Sequence, residues 1–203
     1  ADRCSLAVID SDWYLEKSDC RRTALDFYND TFLTDQNACT SPRIIVWLGK
    51  RKAEAKELFW EALHGLAEEK YAFQPVQGID KLVKNCLLAV EQDGVHTEAR
   101  RDNLIYRVAV PVLERKLLDY AGNSGYFLEY DCEDIMELRD LCDDRRCQTI
   151  AYLGERNLLA PLWKAGIKGI DRVVPVGKTM DFDLIWDGYN LVERLTRVIR
   201  IVD

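Results

Sequence analysis

The sequence predicts an α/β protein with a mainly parallel sheet that is covered by helices on both faces. Strand-like runs alternate with helix-like segments through most of the 203 residues, which is the pattern of βαβ units. The first run, residues 4–9, is short and apolar enough for a buried strand. No internal repeat and no low-complexity linker divides the chain, so we expect one domain spanning residues 1–203.

The first half of the chain supplies two strands and three helices. Residues 4–9 predict a strand, and Asp10, Ser11 and Asp12 are candidate N-caps for a helix over residues 12–31. A polar loop follows, then a strand over 43–48 that ends at Gly49. Apolar residues at helical spacing then predict an amphipathic helix through the segment that contains His64, which we place beside its apolar stripe. A further helix is expected over 79–90.

The second half continues the alternation. The expected strands cover residues 104–112, 125–130, 149–153 and 172–176, and the expected helices cover residues 134–142, 157–165 and 189–197. The run 98–101 is interpreted as a solvated face. Residues 198–202 predict a final strand, which we expect to pair with another subunit in an oligomer.

Composition limits the classes of function. Lys and Arg total 28 and Asp and Glu total 35, so the net charge is −7, and the basic face that nucleic-acid binding needs is not predicted. No apolar run approaches the length of a membrane span, and no secretory signal precedes the first strand. The chain begins with Ala at a strand-like segment, so we expect it to be a domain excised from a longer protein.

The seven cysteines do not form a recognisable framework. They stand at positions 4, 20, 39, 86, 132, 142 and 147, no CxxC pair occurs, and the chain has two histidines. A zinc site needs clustered thiolate and imidazole ligands, so no metal site is predicted. Reduced thiols and a cytoplasmic location are the simplest expectation.

Cys39 differs from the other cysteines because it lies in a polar loop between a helix and a strand. The loop runs from Asp35 to Pro42, and a thiol held there can face a cleft and act as a covalent nucleophile. The Cys39 N–H is then a candidate donor to the oxyanion formed on attack. From the pattern alone, a structural cysteine remains the more common outcome for such a position.

Two nucleotide-binding motifs are excluded. The run Pro175-Val176-Gly177-Lys178-Thr179 ends like a phosphate-binding loop, but the glycine required five residues before the Gly-Lys pair is Arg172. No GxGxxG occurs anywhere in the chain. Any dinucleotide-binding loop of that type is therefore expected outside these residues.

Several segments carry a resemblance to one family. The loop 35–42, the run 169–177, the Trp-Asp-Gly-Tyr of 186–189, the Leu-Thr-Arg of 195–197 and the opening 1–10 together resemble the long-chain acyl-CoA reductases, the LuxC-type fatty acid reductases. These are distant members of the aldehyde dehydrogenase superfamily. The resemblance spans nearly the whole chain and is least specific between about residues 54 and 124.

The resemblance implies an aldehyde-dehydrogenase-like catalytic domain. Cys39 would take the acyl group of a long-chain acyl-CoA or acyl-protein as a thioester, and NADPH would reduce it to a fatty aldehyde. The nicotinamide-binding domain of such proteins precedes the nucleophile, so this chain alone is not expected to turn over. An acyl-protein synthetase and a homo-oligomer are implied as partners. The candidate site residues are Cys39 as nucleophile, Asn37 as polarising group, and Gln36, Ser41, Trp186 and Tyr189 as pocket residues.

Three other functions remain open at this point. A thiol acyltransferase would use the same cysteine without a redox step. An aldehyde dehydrogenase would run the reaction in the oxidising direction. A non-catalytic assembly module would form no adduct on Cys39.

Overall fold

The computed structural model describes residues 3–202 and contains one large sheet. Its strands are β1 (Cys4–Asp10), β2 (Pro42–Leu48), β3 (His96–Ala99), β4 (Tyr106–Ala109), β5 (Tyr126–Asp131), β6 (Cys147–Leu153) and β7 (Arg172–Pro175). A separate hairpin is formed by β8 (Ile185–Trp186) and β9 (Tyr189–Asn190). The helices are α1 (Ser11–Lys17), α2 (Cys20–Thr31), α3 (Lys52–Lys70), α4 (Pro75–Glu91), α5 (Leu117–Tyr120), α6 (Arg139–Cys142), α7 (Ala160–Lys164) and α8 (Leu191–Leu195).

The sheet is parallel except at one edge. The strand order is β3-β4-β5-β2-β1-β6-β7, and only β3 runs antiparallel to its neighbour. In the centre, Ala7 of β1 lies between Ile45 of β2 and Ala151 of β6. The predicted fold class is therefore confirmed, and the start of every parallel strand lies at the same edge of the sheet.

Each face of the sheet carries its own hydrophobic core. Side chains alternate along β1, so Ala7 and Ile9 join one core while Leu6 and Val8 join the other. The first core is covered by α1, α2 and α3, and it contains the buried rings of Phe27 and other aromatics. The second core receives side chains from α4 through α7. Helices on both faces follow from strands that are apolar on both sides.

The helix predicted over 12–31 is two helices. Asp10 caps α1 by accepting from the backbone N–H groups of Asp12 and Trp13. Asp19 caps α2 by accepting from the N–H of Arg22 at 2.7 Å. The chain is extended at Ser18, because a second capping carboxylate restarts the helix there.

Other predicted elements differ in type. The segment 96–99, part of which was interpreted as a solvated face, is the edge strand β3. The helix expected over 134–142 is a 3-10 turn, Ile135–Leu138, followed by α6. The helix expected over 189–197 begins as β9 and becomes α8.

The strand expected over 198–202 is not formed in this structure. These residues are exposed and have no regular structure, because no sheet edge within residues 3–202 lies beside them to accept their backbone hydrogen bonds. Pairing with another subunit stays a prediction. No helix in the described part of the chain is long and apolar enough to cross a membrane.

Candidate active site

Cys39 occupies a tight turn at the amino edge of the sheet. The N–H of Ser41 donates to the carbonyl of Ala38 at 3.1 Å, so Cys39 is the second residue of a four-residue turn that leads directly into β2. Its side chain is partly exposed. The predicted placement of the thiol, at a surface junction rather than in a core, matches this geometry.

The backbone of Cys39 is fixed at its carbonyl and free at its N–H. The Ser5 hydroxyl donates to the Cys39 carbonyl at 2.7 Å and accepts from the Thr149 N–H at 3.2 Å, which ties the turn to β1 and β6. No acceptor within residues 3–202 takes the Cys39 N–H. This N–H is therefore available to an oxyanion that develops beside the thiol.

The entry to the turn is held by Gln36. The chain reverses at Asp35 and Gln36, whose φ angles are 51° and 56°. The Gln36 side chain accepts from the Gly125 N–H at 2.6 Å and donates to the Pro42 carbonyl at 3.0 Å. The Arg43 guanidinium donates twice to the Gln36 carbonyl, at 3.1 and 2.8 Å. Four contacts around one buried residue make this part of the loop rigid.

Gly125 is the residue that allows this close approach. Its φ is +84°, and a Cβ at this position would lie 2.2 Å from the Leu104 carbonyl oxygen. Only glycine fits such a backbone. Its N–H is thereby held against the Gln36 side chain, and this bond joins the loop 35–42 to the start of β5.

Asn37 is exposed and points across the entrance to the loop. Its Oδ1 accepts from Nδ2 of Asn123 at 2.8 Å, which leaves its own Nδ2 available as a donor. The position is compatible with the predicted polarising role, which stays a prediction. Asn123 was not identified from the sequence. The one signal that could have drawn attention to it is the turn sequence Asn-Ser-Gly directly before β5.

A second segment lies against the other side of the turn. The Thr40 hydroxyl contacts the Met180 sulfur at 3.4 Å. Residues 177–179 are held by Asp30 of α2, whose carboxylate accepts from the N–H groups of Gly177 at 2.6 Å and Thr179 at 3.1 Å. Burial raises the pKa of Asp30 to about 6, although these two N–H bonds oppose the shift. Sequence reasoning missed Asp30, an acid in an otherwise apolar helical pattern.

Trp186 and Tyr189 lie on the hairpin beyond this segment. The Trp186 ring stacks on Phe182 and lies 4.5 Å from the Arg172 guanidinium. Arg172 in turn donates to the carbonyls of Thr179 and Asp181. Trp186 is thus connected to the segment that touches Thr40, whereas Tyr189 is exposed and packs with Arg194. The predicted pocket role of the two rings stays a prediction.

The two other predicted pocket residues lie inside the protein. Gln36 and Ser41 are both 0% exposed. Gln36 makes the loop contacts described above, and the Ser41 hydroxyl lies 3.2 Å from that of Thr34. Their side chains are turned inward because the reversal at Asp35 and Gln36 needs buried polar partners. Both side chains support the loop that contains Cys39, and their predicted role in a pocket stays a prediction.

A cavity of about 280 Å³ adjoins the entrance on the Asn123 side. Asn123 lines it together with Lys81, Leu87 and Tyr126. The Tyr126 hydroxyl is buried and has no hydrogen-bond partner within residues 3–202. The cavity is thus lined by polar and apolar side chains, and one of them, Asn123, is the hydrogen-bond partner of Asn37.

A larger cavity of about 720 Å³ lies elsewhere, between α3 and the edge strands β3 and β4. Its cations are already paired, as in the contact of Arg107 with Glu129 at 2.9 Å. His64 lines it but is buried, with Nε2 2.7 Å from the Asp102 carboxylate. The sequence placed His64 beside the apolar stripe of α3, and in the structure it is buried there against Asp102 of the loop before β4.

Comparison with known proteins identifies the fold. The sequence matches no protein-family model and no curated protein. The structure is similar to aldehyde dehydrogenase 21 from Physcomitrella patens, with a TM-score of 0.57, 15% identity and coverage of 85% of this chain and 38% of that one. It is also similar to methylmalonate-semialdehyde dehydrogenase from Oceanimonas doudoroffii, with a TM-score of 0.55, 10% identity and coverage of 86% and 39%.

A third similar structure is the NAD-dependent benzaldehyde dehydrogenase from Corynebacterium glutamicum, with a TM-score of 0.54, 14% identity and coverage of 85% and 39%. The chain thus spans less than two fifths of the length of each of these three structures. At such low identity the similarity establishes an aldehyde-dehydrogenase-like α/β fold. No group of three or more potential metal ligands occurs within residues 3–202.

Proposed function

We propose that this chain is the nucleophile-bearing domain of an acyl-CoA reductase that converts a long-chain acyl thioester to an aldehyde. The observation that carries the proposal is the Cys39 turn. It combines a partly exposed thiol, a free N–H of the same residue, and a carbonyl that is held by the Ser5 hydroxyl. It occurs on a fold similar to that of aldehyde dehydrogenases. Preorganised donors next to a nucleophile are what acyl transfer requires.

The chain's own chemistry is the transfer of the acyl group. Cys39 loses its proton to water, and its thiolate attacks the carbonyl carbon of the acyl thioester. The Cys39 N–H and Nδ2 of Asn37 donate to the oxyanion. The intermediate collapses by breaking the bond to the coenzyme A sulfur, which leaves as a thiolate and takes up a proton. Cys39 then carries the acyl group as a new thioester.

An exposed apolar surface near Thr40 supports the proposal that the substrate carries a long acyl chain. Met180, which contacts Thr40, is 43% exposed, and Phe182 two residues later is 72% exposed. Leu184 and Ile185 are also exposed. An acyl chain that extends along this segment from the thioester on the Cys39 sulfur would bury apolar groups that otherwise face water.

A nicotinamide cofactor would supply the hydride that reduces the thioester. Residues 3–202 do not fit the whole dinucleotide: no glycine-rich phosphate loop occurs among them, and the cations that line the 720 Å³ cavity are already paired with carboxylates. NADPH binding therefore belongs to the proposal only for a longer protein. This chain contributes the thiol, the oxyanion donors and the acyl surface.

Mass spectrometry of the intact protein tests the proposal. After incubation with myristoyl-CoA, we expect one acyl adduct that hydroxylamine removes and that Cys39→Ala abolishes. Cys86→Ser is the matched control, because Cys86 is an exposed thiol on α4 and its loss should leave the adduct unchanged. An adduct that persists in Cys39→Ala contradicts the assignment of the nucleophile.

The redox step separates this function from a thiol acyltransferase. The form to test carries any residues that the gene encodes before Ala1. An acyl adduct that NADPH converts to free aldehyde supports the reductase. An adduct that NADPH leaves intact, but that a thiol or amine acceptor discharges, favours the acyltransferase. No adduct on this form would exclude covalent catalysis by Cys39.

A further inference from the structure

The smaller cavity, between α4 and the residues that lead into β5, combines apolar walls with polar groups that a ligand can reach. Val83 and Leu87 line its apolar part, and Lys84 and Asn123 line its polar part. The Lys84 ammonium donates to the Asp119 carbonyl at 3.3 Å and pairs with no carboxylate within residues 3–202. A hydrocarbon chain in this cavity would cover such groups without satisfying them. Its occupant should therefore carry hydrogen-bonding groups of its own.

The buried Tyr126 hydroxyl points to the same kind of occupant. The Tyr126 ring stacks on Tyr106, with 5.7 Å between the ring centroids, and a Cβ on Gly122 would lie 2.5 Å from its Cδ1 atom. The ring is thus held on two sides while its hydroxyl has no hydrogen-bond partner within residues 3–202. Buried polar groups in folded proteins nearly always have one. A ligand group that enters the cavity would supply this partner.

The position of the cavity relative to the thiol suggests which part of a substrate it receives. Asn123 lines the cavity and donates to Oδ1 of Asn37, two residues before Cys39. The apolar segment that begins at Met180 meets the turn from the other side. The carbonyl carbon of a thioester carries an acyl chain and a sulfur-linked arm, and these leave it in different directions. With the acyl chain along the Met180 segment, the sulfur-linked arm extends toward the cavity.

The arm of a coenzyme A thioester is pantetheine, which contains two amides, a hydroxyl and a pair of methyl groups and ends in a phosphate. We propose that the cavity binds this pantetheine arm, an inference that rests on the acyl transfer proposed for Cys39. Asn123 and Tyr126 pair with the amide and hydroxyl groups of the arm. The apolar walls cover its methyl groups, and Lys84 pairs with its phosphate.

The size of the cavity fits an arm and not a nucleotide. Its volume of about 280 Å³ is close to the lower end of the ~300–1,000 Å³ of sites that enclose small ligands. The nucleotide of coenzyme A therefore lies outside it. Coenzyme A and a carrier protein that bears phosphopantetheine present the same arm, so both sources satisfy the recognition chemistry.

Isothermal titration calorimetry of Cys39→Ala tests the proposal, because this variant binds the arm without being acylated. We expect phosphopantetheine and coenzyme A to bind with similar affinity. Tyr126→Phe in this background should weaken both by about fivefold, the effect of one lost hydrogen bond, and should not unfold the chain, since the hydroxyl has no partner in it. Tyr130→Phe is the matched control on β5, because its hydroxyl donates to Glu137.

The phosphate contact is tested by comparing two forms of the arm. Lys84→Ala should weaken phosphopantetheine by about tenfold and leave pantetheine, which lacks the phosphate, unchanged. Lys164→Ala, an exposed lysine of α7, should change neither. Holo-acyl carrier protein, with its apo form as control, separates the sources. Holo protein that binds more tightly than phosphopantetheine identifies a protein-borne arm, and equal affinity identifies coenzyme A.

A truncated thioester distinguishes arm binding from an indirect effect on the turn. Lys84→Ala in the wild-type background should slow the acylation of Cys39 by myristoyl-CoA. It should not slow acylation by S-myristoyl-N-acetylcysteamine, which ends at the first amide. Equal slowing with both donors would mean that Lys84 supports the turn and does not bind the arm.

Two outcomes of the calorimetry would overturn the proposal. The first is the absence of binding to Cys39→Ala at millimolar phosphopantetheine. The second is binding that neither Tyr126→Phe nor Lys84→Ala weakens, which would assign the arm to another surface. If the wild type still forms its acyl adduct in either case, only the assignment of the cavity fails and the proposed function of Cys39 stands.

Discussion

The two sides of the Cys39 turn are held in different ways. On one side, called here the inner wall, residues 35–37 are joined to residues 123–125 by hydrogen bonds, of which the bond from the Gly125 N–H to the Gln36 side chain is buried. On the other side, the outer wall, residues 177–190 meet the turn through Met180 and are anchored by one buried carboxylate and by partly exposed ion pairs. The inner wall holds the backbone that leads to Cys39, and the outer wall carries the exposed apolar surface.

The difference matches the two requirements of the acyl transfer that we propose for Cys39. An oxyanion donor has to be fixed before the charge develops, because reorganisation during the reaction would cost free energy. A surface for hydrocarbon chains needs area more than a fixed geometry, and apolar contact is not directional. In the proposed transfer, the buried polar contacts on one side would hold the oxyanion donors, and the exposed apolar residues on the other side would bind the hydrocarbon chain.

Loss of Gln36 should give the largest effect on this comparison. In Gln36→Ala the Gly125 N–H and the Pro42 carbonyl lose buried partners, and unsatisfied buried groups cost about 1–3 kcal/mol each. We expect the free energy of unfolding to fall by about 2–4 kcal/mol in urea denaturation. Alkylation of Cys39 by iodoacetamide should also change, because the turn loses its support.

Thr34→Ala provides the control for Gln36. Thr34 directly precedes the loop 35–42. Its hydroxyl makes longer hydrogen bonds than the Gln36 side chain does, at 3.2 Å to the Ser41 hydroxyl and 3.5 Å to the Thr31 carbonyl. A loss of stability under 1 kcal/mol is expected there. Equal losses in the two variants would mean that Gln36 is not the principal support of the inner wall.

Asp30 should give an intermediate, pH-dependent effect on the outer wall. Burial raises its pKa to about 6 in the folded chain, against about 3.9 when unfolded. Between these values the folded state binds more protons, so the stability from this group is present below pH 4, falls as pH rises to 6, and is constant above. We expect a decline of about 1–3 kcal/mol over that range, with Asp26 as the charged neighbour that adds to it.

Urea denaturation of Asp30→Asn between pH 4 and 7 checks this expectation. The variant should lose the decline, and it should be less stable at pH 4 because an amide nitrogen would oppose one of the two N–H donors. Asp26→Asn should keep most of the decline, since its partly exposed carboxylate pairs with Arg22 and makes the smallest contribution to the raised pKa of Asp30. An unchanged pH profile in Asp30→Asn would mean that another group titrates there.

The sequence predicted the frame of the fold better than the details of the site. Apolar runs and the turn at Gly49 located β1, β2 and their connection, because buried parallel strands leave a direct pattern in the chain. The partly exposed position of the Cys39 thiol was predicted from its polar loop. The inward direction of Gln36 was not, because it depends on Gly125, 89 residues later, and such a contact leaves no local signal. The same reason applies to Asp30 and Gly177.

The terminal hairpin should give the smallest change in stability and the clearest local change. Asp187 accepts from Arg3 at 3.0 Å and from Gln148, but its side chain is 42% exposed. Exposed ion pairs contribute about 0–1 kcal/mol, so Asp187→Ala should lower the free energy of unfolding by less than 1 kcal/mol.

Hydrogen exchange should show the local effect of this substitution. The Leu191 N–H, which donates to the Leu184 carbonyl across the hairpin at 2.8 Å, should exchange faster in Asp187→Ala, while the Asn37 and Ser41 amides keep their protection. Asp181→Ala, which removes an exposed pair with Lys178, is the control. Faster exchange at Ser41 would show that the outer wall supports the nucleophile turn after all. Unchanged exchange at Leu191 would mean that the stacking of Trp186 on Phe182 and Arg172 holds the hairpin by itself.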